Sequence, residues 1–237
     1  MSDSKNELTF LSKLAAPTGR RQFLTWAGIS ISVVAAAVGC GGGGGGNNEE
    51  GPNFEGDIGS GDIGVLNYAY ALEQLEAAFY VKVISAPYAK ISTSELAILT
   101  DIRDHEVIHR DFLKAALGKD AITDLTVEFS SIDFTSRSSV LNAAKAFEDL
   151  GVSAYNGAGR LLENPDYLLL AGKIVSVEAR HASVIRDLLA PKSASFAGDD
   201  VVDPVTGLDV ANSPSIVLAA ADTYVVTTIS ADRLPQS

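Results

Sequence analysis

The chain has 237 residues, 46% of them hydrophobic, which is enough for one domain with a buried core but not for two full domains. Its formal net charge is -12, and after the first forty residues acidic groups outnumber basic ones by 28 to 14. This balance excludes a basic face for nucleic acid or anionic lipid and indicates only a solvated surface. The single cysteine, Cys40, excludes a disulfide framework, a CxxC zinc site and a cysteine-ligated iron–sulfur centre.

The first forty residues have the pattern of an export signal. The sequence TGRRQFL, with Arg20 and Arg21, precedes an apolar run over residues 27 to 39 that is too short to cross a bilayer comfortably. The arginine pair resembles the bacterial twin-arginine motif, and AVGC, ending at Cys40, resembles a lipobox, whose cysteine becomes the lipidated first residue. We therefore expect residues 1 to 40 to be a twin-arginine lipoprotein signal peptide, and the mature chain to be a periplasmic or cell-envelope lipoprotein.

Two other ways of processing fit the same residues. The arginine pair could belong to an ordinary Sec signal, and the three alanines at residues 35 to 37 could be cut by a general signal peptidase.

Six consecutive glycines follow the cysteine, and the stretch to residue 62 is rich in Gly, Asn and Glu. Because this composition contains too little apolar surface to fold, we expect residues 41 to 62 to form a flexible tether.

Residues 63 to 190 are expected to form four helices, because their apolar residues recur at intervals of three and four. The sequence STSE at residues 92 to 95 is a capping box, and Asn164 followed by Pro165 is a further start signal. The expected helices are A over residues 64 to 87, B over residues 92 to 118, C over residues 137 to 162 and D over residues 164 to 191.

The connections predict how these helices pair. Short turns join A to B and C to D, so each pair should be an antiparallel hairpin. Residues 118 to 135 are long enough to run along the whole bundle and let helix C begin at its far end. In the C-terminal extension, residues 191 to 237, Ser213-Pro214 and an apolar run over residues 216 to 226 predict a short fifth helix. The expected fold is all-α: a four-helix bundle with a long B–C crossover.

A repeated Glu-x-x-His motif is the first sign of chemistry. Glu106 and His109 lie in helix B, and Glu178 and His181 lie in helix D, each pair one turn apart on one helix face. A single such pair is more often an exposed helix pair than a ligand set. Chance placement gives only ~0.15 matches in this chain, so two matches indicate a functional arrangement.

Helices A and C carry a second repeated element. Glu73 precedes Tyr80 by seven residues, and Glu148 precedes Tyr155 by seven, which places each pair on one stripe. Corresponding residues of the two hairpins are 75 residues apart in A and C and 72 apart in B and D. The hairpins can therefore face each other about a pseudo-two-fold axis. The six residues that would converge in the core are Glu73, Glu106, His109, Glu148, Glu178 and His181.

These six side chains are the donor set that two metal ions need. Four carboxylates balance two divalent cations, two of the glutamates can bridge, and two neutral imidazoles complete the set. Without metal, four carboxylates in an apolar core would have to take up protons or repel one another. The sequence therefore predicts a two-metal site.

Several neighbouring residues have other interpretations. Glu76 lies three residues after Glu73 on nearly the same face and is the alternative ligand from helix A; we prefer Glu73 because it alone has the seven-residue spacing to tyrosine. Tyr80 and Tyr155 are expected to be core residues first and hydrogen-bond donors to the ligands second. Helical phase predicts that Asp104, His105 and Arg180 point away from the site, as surface or second-layer residues.

These segments resemble the ferritin-like superfamily of di-iron carboxylate proteins, and within it the exported type that includes the plant desiccation-related group. The residues that carry the resemblance are LNYAYALEQLEAAFY (66 to 80), RDHEVIHRDFL (103 to 113), AFEDLGVSAYNGAG (146 to 159) and SVEARHASVIRDLL (176 to 189). The resemblance implies a ferritin-like bundle with two irons, or alternatively two manganese ions, that react with dioxygen or peroxide, as in ferroxidases, rubrerythrins and manganese catalases.

Differences from these relatives exclude some of the activities and assemblies known in the superfamily. The cysteine count excludes a rubredoxin domain, and Met1, the only methionine, excludes a methionine-ligated haem between subunits. A lipid and a tether on every chain fit a 24-subunit storage shell poorly. We expect an exported oxidoreductase that acts on Fe(II) with oxygen or on peroxide, and meets the membrane only through its lipid anchor. The rival is a structural or desiccation-protective envelope lipoprotein whose metal only stabilises the bundle. A homodimer is one assembly that the sequence allows.

Overall fold

The structure, a computed structural model, describes residues 56–234. The predicted signal peptide with Cys40, and residues 41–55 of the predicted tether, lie outside these residues. The described part contains five α-helices, α1 Gly61–Ser85, α2 Thr93–Leu117, α3 Arg137–Ala158, α4 Pro165–Leu189 and α5 Pro214–Ala221. Short 3₁₀ turns follow α2, α3 and α4, at Gly118–Asp120, Gly159–Leu161 and Ala194–Ala197. The prediction of an all-α fold with four long helices and a short fifth one is confirmed.

The helix ends differ from prediction by a few residues. Helix α1 begins three residues early, at Gly61, and α3 ends at Ala158 and continues as a 3₁₀ turn instead of reaching residue 162. Helix α5 ends at Ala221 instead of residue 226, because the chain turns there and Val225 forms an antiparallel bridge with Val127 in the crossover. Two of the three predicted start signals cap their helices through a side chain: Ser92 accepts from the backbone N–H of Glu95, and Asn164 from that of Asp166. Ser213 precedes α5 as predicted but makes no such hydrogen bond.

The last residues of the predicted tether are packed against the bundle. Asp57 and Ile58 are buried, and the Ile58 backbone N–H donates to the carbonyl of Ser230 at 3.2 Å. Arg233 Nη2 lies 2.6 Å from Asp57 Oδ2. The prediction of a flexible tether up to residue 62 therefore does not hold at its C-terminal end. Contacts with Ser230 and Arg233 hold this glycine-rich segment against the bundle.

Four contacts establish the directions of the long helices. Asn67, near the start of α1, donates to the carbonyl of Asp120 just after α2, and Arg137, at the start of α3, donates to the carbonyl of Leu188 at the end of α4. Each hairpin is therefore antiparallel. Helices α1 and α3 are also antiparallel, because contacts join Tyr80 to Glu148 and Glu73 to Tyr155. The chain after α2 must consequently return along the bundle before α3 begins, as the long crossover predicts.

The crossover and the C-terminal extension pack against α1 and α3. Phe129 and Phe134 of the crossover contact Phe79 of α1 edge-on or tilted, and Tyr224 of the extension contacts Phe147 of α3 at 4.8 Å between ring centroids. A close approach of the extension to α3 also explains a glycine, since a Cβ at Gly157 would lie 1.8 Å from the carbonyl oxygen of Asn212. These segments close the core around the middle of the bundle.

Arg186 links α4, α3 and the extension, and its replacement is expected to destabilise the bundle. Its guanidinium, only 2% exposed, binds both oxygens of Asp149 at 2.8 Å and both oxygens of Asp200 at 2.9 and 3.0 Å. We expect Arg186→Ala to lower the free energy of unfolding in urea by about 2–3 kcal/mol, less than for a fully buried pair because Asp200 is exposed. Arg180→Ala, an exposed arginine of the same helix, should change it by less than about 0.5 kcal/mol. Equal effects of the two variants would contradict the assignment.

Among the described helices, none has a sufficiently long and apolar stretch to span a bilayer.

Candidate metal site

The structure brings the six predicted residues together in the core, one or two from each long helix: Glu73 from α1, Glu106 and His109 from α2, Glu148 from α3, and Glu178 and His181 from α4. All four glutamate side chains are fully buried, His181 is nearly so, and the His109 side chain is 12% exposed. The one-turn spacing of each Glu-x-x-His pair places both side chains on the inward face of its helix.

The first group of donor atoms surrounds His109. Its Nδ1 atom lies 3.5 Å from Glu73 Oε2 and 3.7 Å from Glu106 Oε2. It lies 2.9 Å from Glu178 Oε1. The four donor atoms are within 4.8 Å of one another, as the ligands of one ion would be.

The second group surrounds His181 and repeats the first. Its Nδ1 atom lies 2.8 Å from Glu106 Oε1 and 3.5 Å from Glu148 Oε2. It lies 3.7 Å from Glu178 Oε2. Glu106 and Glu178 thus contribute one oxygen to each group, and Glu148 takes the place that Glu73 has in the first. The pseudo-two-fold symmetry expected from the repeated spacings is present in the atoms.

None of the inward-facing donor atoms makes a hydrogen bond of normal geometry among the described residues, although the two shortest imidazole–carboxylate distances are 2.8 and 2.9 Å. The eight atoms without one are Glu73 Oε2, both carboxylate oxygens of Glu106 and of Glu178, Glu148 Oε2, and Nδ1 of His109 and His181. Buried polar atoms are nearly always satisfied, and an unpaired one costs several kcal/mol. A cation in each group would satisfy all eight atoms at once, so the donor set fits two metal ions.

Two tyrosines hold the outer oxygens of the terminal glutamates. Tyr155 Oη donates to Glu73 Oε1 at 2.5 Å, and Tyr80 Oη donates to Glu148 Oε1 at 2.5 Å. Both tyrosines are buried, so they are core residues and donors together. Each tyrosine therefore donates its hydrogen bond to the terminal glutamate of the other hairpin. Because α1 and α3 are antiparallel and each has its glutamate seven residues before its tyrosine, both tyrosines can reach the glutamate of the opposite helix.

The fold and this geometry can be compared with known proteins. The family model for the ferritin-like domain matches residues 61–191, more than half of the chain. The chain belongs to the ferritin-like domain family. No curated protein matches it. The match extends from the start of α1 to just beyond the end of α4, so the family's domain in this chain is the four-helix bundle that holds all six candidate ligands.

Removing one tyrosine hydroxyl should weaken metal binding at one half of this ferritin-like bundle. In Tyr155→Phe, Glu73 loses its donor and becomes free to rotate, so we expect about 10- to 100-fold weaker binding at the position next to His109. A titration of the chelator-treated protein with Mn²⁺ would measure it. Tyr70→Phe is the matched control, because that hydroxyl donates to Asp124 at 3.1 Å outside the site. An unchanged affinity in Tyr155→Phe would show that the hydrogen bond does not orient the glutamate.

Without metal, the charges in the site compensate one another through protons. Burial alone lowers the pKa of each histidine, but the surrounding carboxylates outweigh it, so the pKa of His109 lies far above its usual value and that of His181 rises to about 12. Burial raises the pKa of Glu178, yet contacts with both imidazoles bring it down to about 2. Burial raises the pKa of Glu148 to about 7, and burial followed by repulsion from Glu178 keeps that of Glu106 well above its usual value. Metal ions would compete with these protons for the same atoms.

Glu73 and Glu76 have different places in the structure. Glu73 belongs to the first donor group and Glu76 to neither. The preference for Glu73 as the helix A ligand stays a prediction. Glu76 is nonetheless buried beside the site, and its Oε2 atom has no hydrogen-bond partner among the described residues. Burial raises its pKa well above the usual value, and repulsion by the four carboxylates of the site, led by Glu178, raises it further.

One neighbouring residue, His105, is in the second layer that the sequence allowed, but it does not point away from the site. Asp104 and Arg180 are exposed, as predicted, and bind Arg103 and Ser176 respectively. His105 instead lies against the site, with its Nδ1 atom 2.9 Å from His181 Nε2. Its position in α2 is one residue before Glu106, on the side that faces α4, where the outer nitrogen of His181 emerges. Helical phase within α2 could not reveal this contact, because it depends on the neighbouring helix.

Proposed function

We propose that this ferritin-like protein binds two iron ions, or alternatively two manganese ions, and is an oxidoreductase that acts on Fe(II) with oxygen or on peroxide. One observation carries the proposal: two groups of four buried donor atoms, related by pseudo-symmetry and sharing two glutamates, with no hydrogen bonds of their own. Glutamate oxygens and imidazole nitrogens are the ligands that iron and manganese take in proteins. The four carboxylates balance the charge of two divalent ions.

The residues divide into bridging and terminal ligands. Glu73 and His109 would hold one ion, Glu148 and His181 the other, and the bridging residues Glu106 and Glu178 would bind both. A bound pair of redox-active ions supplies electron exchange with a small oxidant, which no side chain of the site can provide. The protein orients the ligands. Tyr80 and Tyr155 hold the terminal carboxylates. His105 Nδ1 can accept a hydrogen bond from the Nε2–H group of His181, which keeps the lone pair of His181 Nδ1 free for metal.

An apolar cavity beside the site supports a small substrate. Its volume is about 30 Å³, and aliphatic and aromatic side chains from all four long helices line it. Tyr155, whose hydroxyl binds Glu73, forms part of its wall, and so do Phe112, one turn beyond His109, and Ile174, one turn before Glu178. A cavity of this size accommodates a molecule of a few atoms, such as oxygen or peroxide.

The complete burial of the four carboxylates favours a second function. A metal site that is closed to solvent stabilises a fold without turning over a substrate, as structural metal sites do. In that case the chain is a structural or desiccation-protective protein of the cell envelope, and the metal is part of its folding energy. The 12% exposure of the His109 side chain is the observation that speaks against closure.

Export is the second element of the proposal and is supported by the sequence alone. The twin-arginine pattern at Arg20 and Arg21 and the lipobox ending at Cys40 would place the protein on the outer side of a membrane, held by a lipid. The twin-arginine route carries folded proteins, so the metal could be loaded in the cytoplasm before export. Replacing Cys40 by alanine should release the protein from the membrane fraction if the lipid is its anchor.

Metal content and turnover, measured on the same protein, decide between these functions. Mass spectrometry of the untagged protein is expected to find about two irons per chain, and stopped-flow absorbance should show rapid oxidation of added Fe(II) by oxygen or peroxide. Two manganese ions with oxygen release from peroxide would instead indicate a catalase activity. Bound metal with no turnover would support the structural protein. A protein that binds neither metal would overturn the proposal of a metal centre.

A further inference from the structure

The two hairpins are alike at every candidate ligand, but one buried carboxylate has no counterpart. Glu73 and Tyr80 of α1 match residues of α3 at a spacing of 75. At the same spacing, Glu76 corresponds to Gly151. The carboxylate of Glu76 is 3% exposed, one oxygen has no hydrogen-bond partner among the described residues, and the nearby charges are those of the site. It is therefore a fifth carboxylate beside a site whose symmetry requires four.

Gly151 leaves room for this carboxylate. It lies in the interior of α3, where glycine is less favourable than alanine by about 1 kcal/mol. A Cβ atom at Gly151 would lie 2.8 Å from Glu76 Oε1, and its three nearest atoms would all belong to the Glu76 carboxyl group. A side chain here would thus push the carboxylate of Glu76 aside. The carboxylate of Glu76 therefore occupies the space that a side chain at Gly151 would need.

We infer that Glu76 is a seventh protein ligand of the metal centre, and that it makes the two metal positions unequal. The inference rests on the proposed metal binding. Tyr80 donates to Glu148 and Tyr155 donates to Glu73. Glu76, one turn after Glu73 in α1 and in contact distance of the Gly151 position of α3, has no such donor to its Oε2 atom. A buried oxygen with no donor beside a two-cation site is satisfied by a cation. With five carboxylates around two ions, one position gains an oxygen ligand that the other lacks.

Cobalt is a suitable probe, because Co²⁺ binds such sites without redox chemistry and its visible spectrum reports the number of ligands. The chelator-treated full chain should bind two Co²⁺ ions with affinities that differ by about tenfold or more. In Glu76→Gln, two ions should still bind, but the tighter step should weaken by at least about tenfold and the two steps should converge. The spectra of the first and second equivalents should then become alike.

Variants of Gly151 test the contact between the Glu76 carboxylate and α3 by changing the residue of α3. Gly151→Ala should resemble Glu76→Gln in its Co²⁺ binding without a loss of stability in the metal-free protein, and the double variant should add nothing further. Gly172→Ala, a glycine of α4 with open space around its Cβ position, is the matched control and should bind Co²⁺ as the unchanged protein does. The exchanged variant Glu76→Gly/Gly151→Glu should restore two unequal steps.

The outcomes separate this inference from the proposed function. If the unchanged protein binds two Co²⁺ ions and both Glu76→Gln and Gly151→Ala bind them with the same affinities and spectra, Glu76 is a packing residue and the six-ligand centre remains. If the unchanged protein binds no Co²⁺, both the inference and the proposed function are wrong.

Discussion

Replacing Glu106 by alanine is expected to abolish the proposed binding of two metal ions. Glu106 places one oxygen in each donor group, 2.8 Å from His181 Nδ1 and 3.7 Å from His109 Nδ1. Its loss therefore takes a ligand, and its negative charge, from both positions. We expect both affinities to fall by more than about 100-fold and any Fe(II) oxidation to disappear. Isothermal titration with Mn²⁺, together with stopped-flow oxidation of Fe(II), would measure the two effects.

Two further variants serve as the comparison and the control for Glu106→Ala. Glu73→Ala removes a ligand from the first group alone, so it should weaken one binding step strongly and the other much less. Asp104→Ala removes an exposed acid from the same helix as Glu106 and should leave both steps unchanged. A Glu106→Ala protein that still binds two ions with the original affinities would show that the bridging role is wrong. Loss of only one step would mean that Glu106 is a terminal ligand.

The metal-free protein is expected to lose stability as the pH rises from about 5 to 8. The pKa of Glu148 is about 7 in the folded state against 4.5 as the ordinary value, because burial disfavours its charged form. The folded state therefore binds more protons than the unfolded state between these values, and stability falls as the pH rises through them. At 1.36 kcal/mol per pKa unit, Glu148 alone costs about 3 kcal/mol above pH 7.

The other groups of the site determine where the stability is highest. His181 has a pKa of about 12 when folded, so its contribution is full below its ordinary value of 6.5 and is lost as the pH rises above it. Glu178 has a lowered pKa of about 2, so its contribution is present above 4.5 and is lost as the pH falls toward 2. Because the contribution of Glu148 already declines above pH 4.5, the metal-free protein should thus be most stable at about pH 4.5 to 5.

Urea unfolding of the chelator-treated protein at pH 5, 6.5 and 8 would test this pH dependence. Metal loading should reverse the trend, because metal competes with protons and binds more tightly as the pH rises. Glu148→Gln is the control, since it removes the proton-binding group without changing the size of the side chain, and its slope between pH 5 and 7 should be smaller. A metal-free protein whose stability is constant or rises over this interval would contradict the expected protonation of the site.

The candidate ligands were predictable because their pattern is local. A carboxylate and an imidazole three residues apart share a helix face in any helix, so Glu106 with His109 and Glu178 with His181 can be identified before the bundle is known. The repeat spacing then pairs Glu73 with Glu148. All six side chains meet in the core, in two groups related by the pseudo-symmetry that the spacings imply.

Contacts between helices were not predictable in the same way. The contact of His105 with His181 depends on which side of α2 faces α4, which helical phase within α2 could not show. The tyrosines bind glutamates of the opposite hairpin, which follows from the direction and register of α1 against α3. Composition likewise indicated a flexible chain up to residue 62, but Ile58 is buried because a distant segment pairs with it.

The sequence by itself determined the helices, the long crossover and the six residues of the candidate centre, because helix periodicity, capping and one-turn spacings act over a few residues. The tertiary structure alone decided what surrounds those six residues. It placed Glu76 over Gly151, His105 against His181 and each tyrosine on the glutamate of the other hairpin. These contacts depend on the register and rotation of packed helices, which are determined by the whole core and not by any one segment.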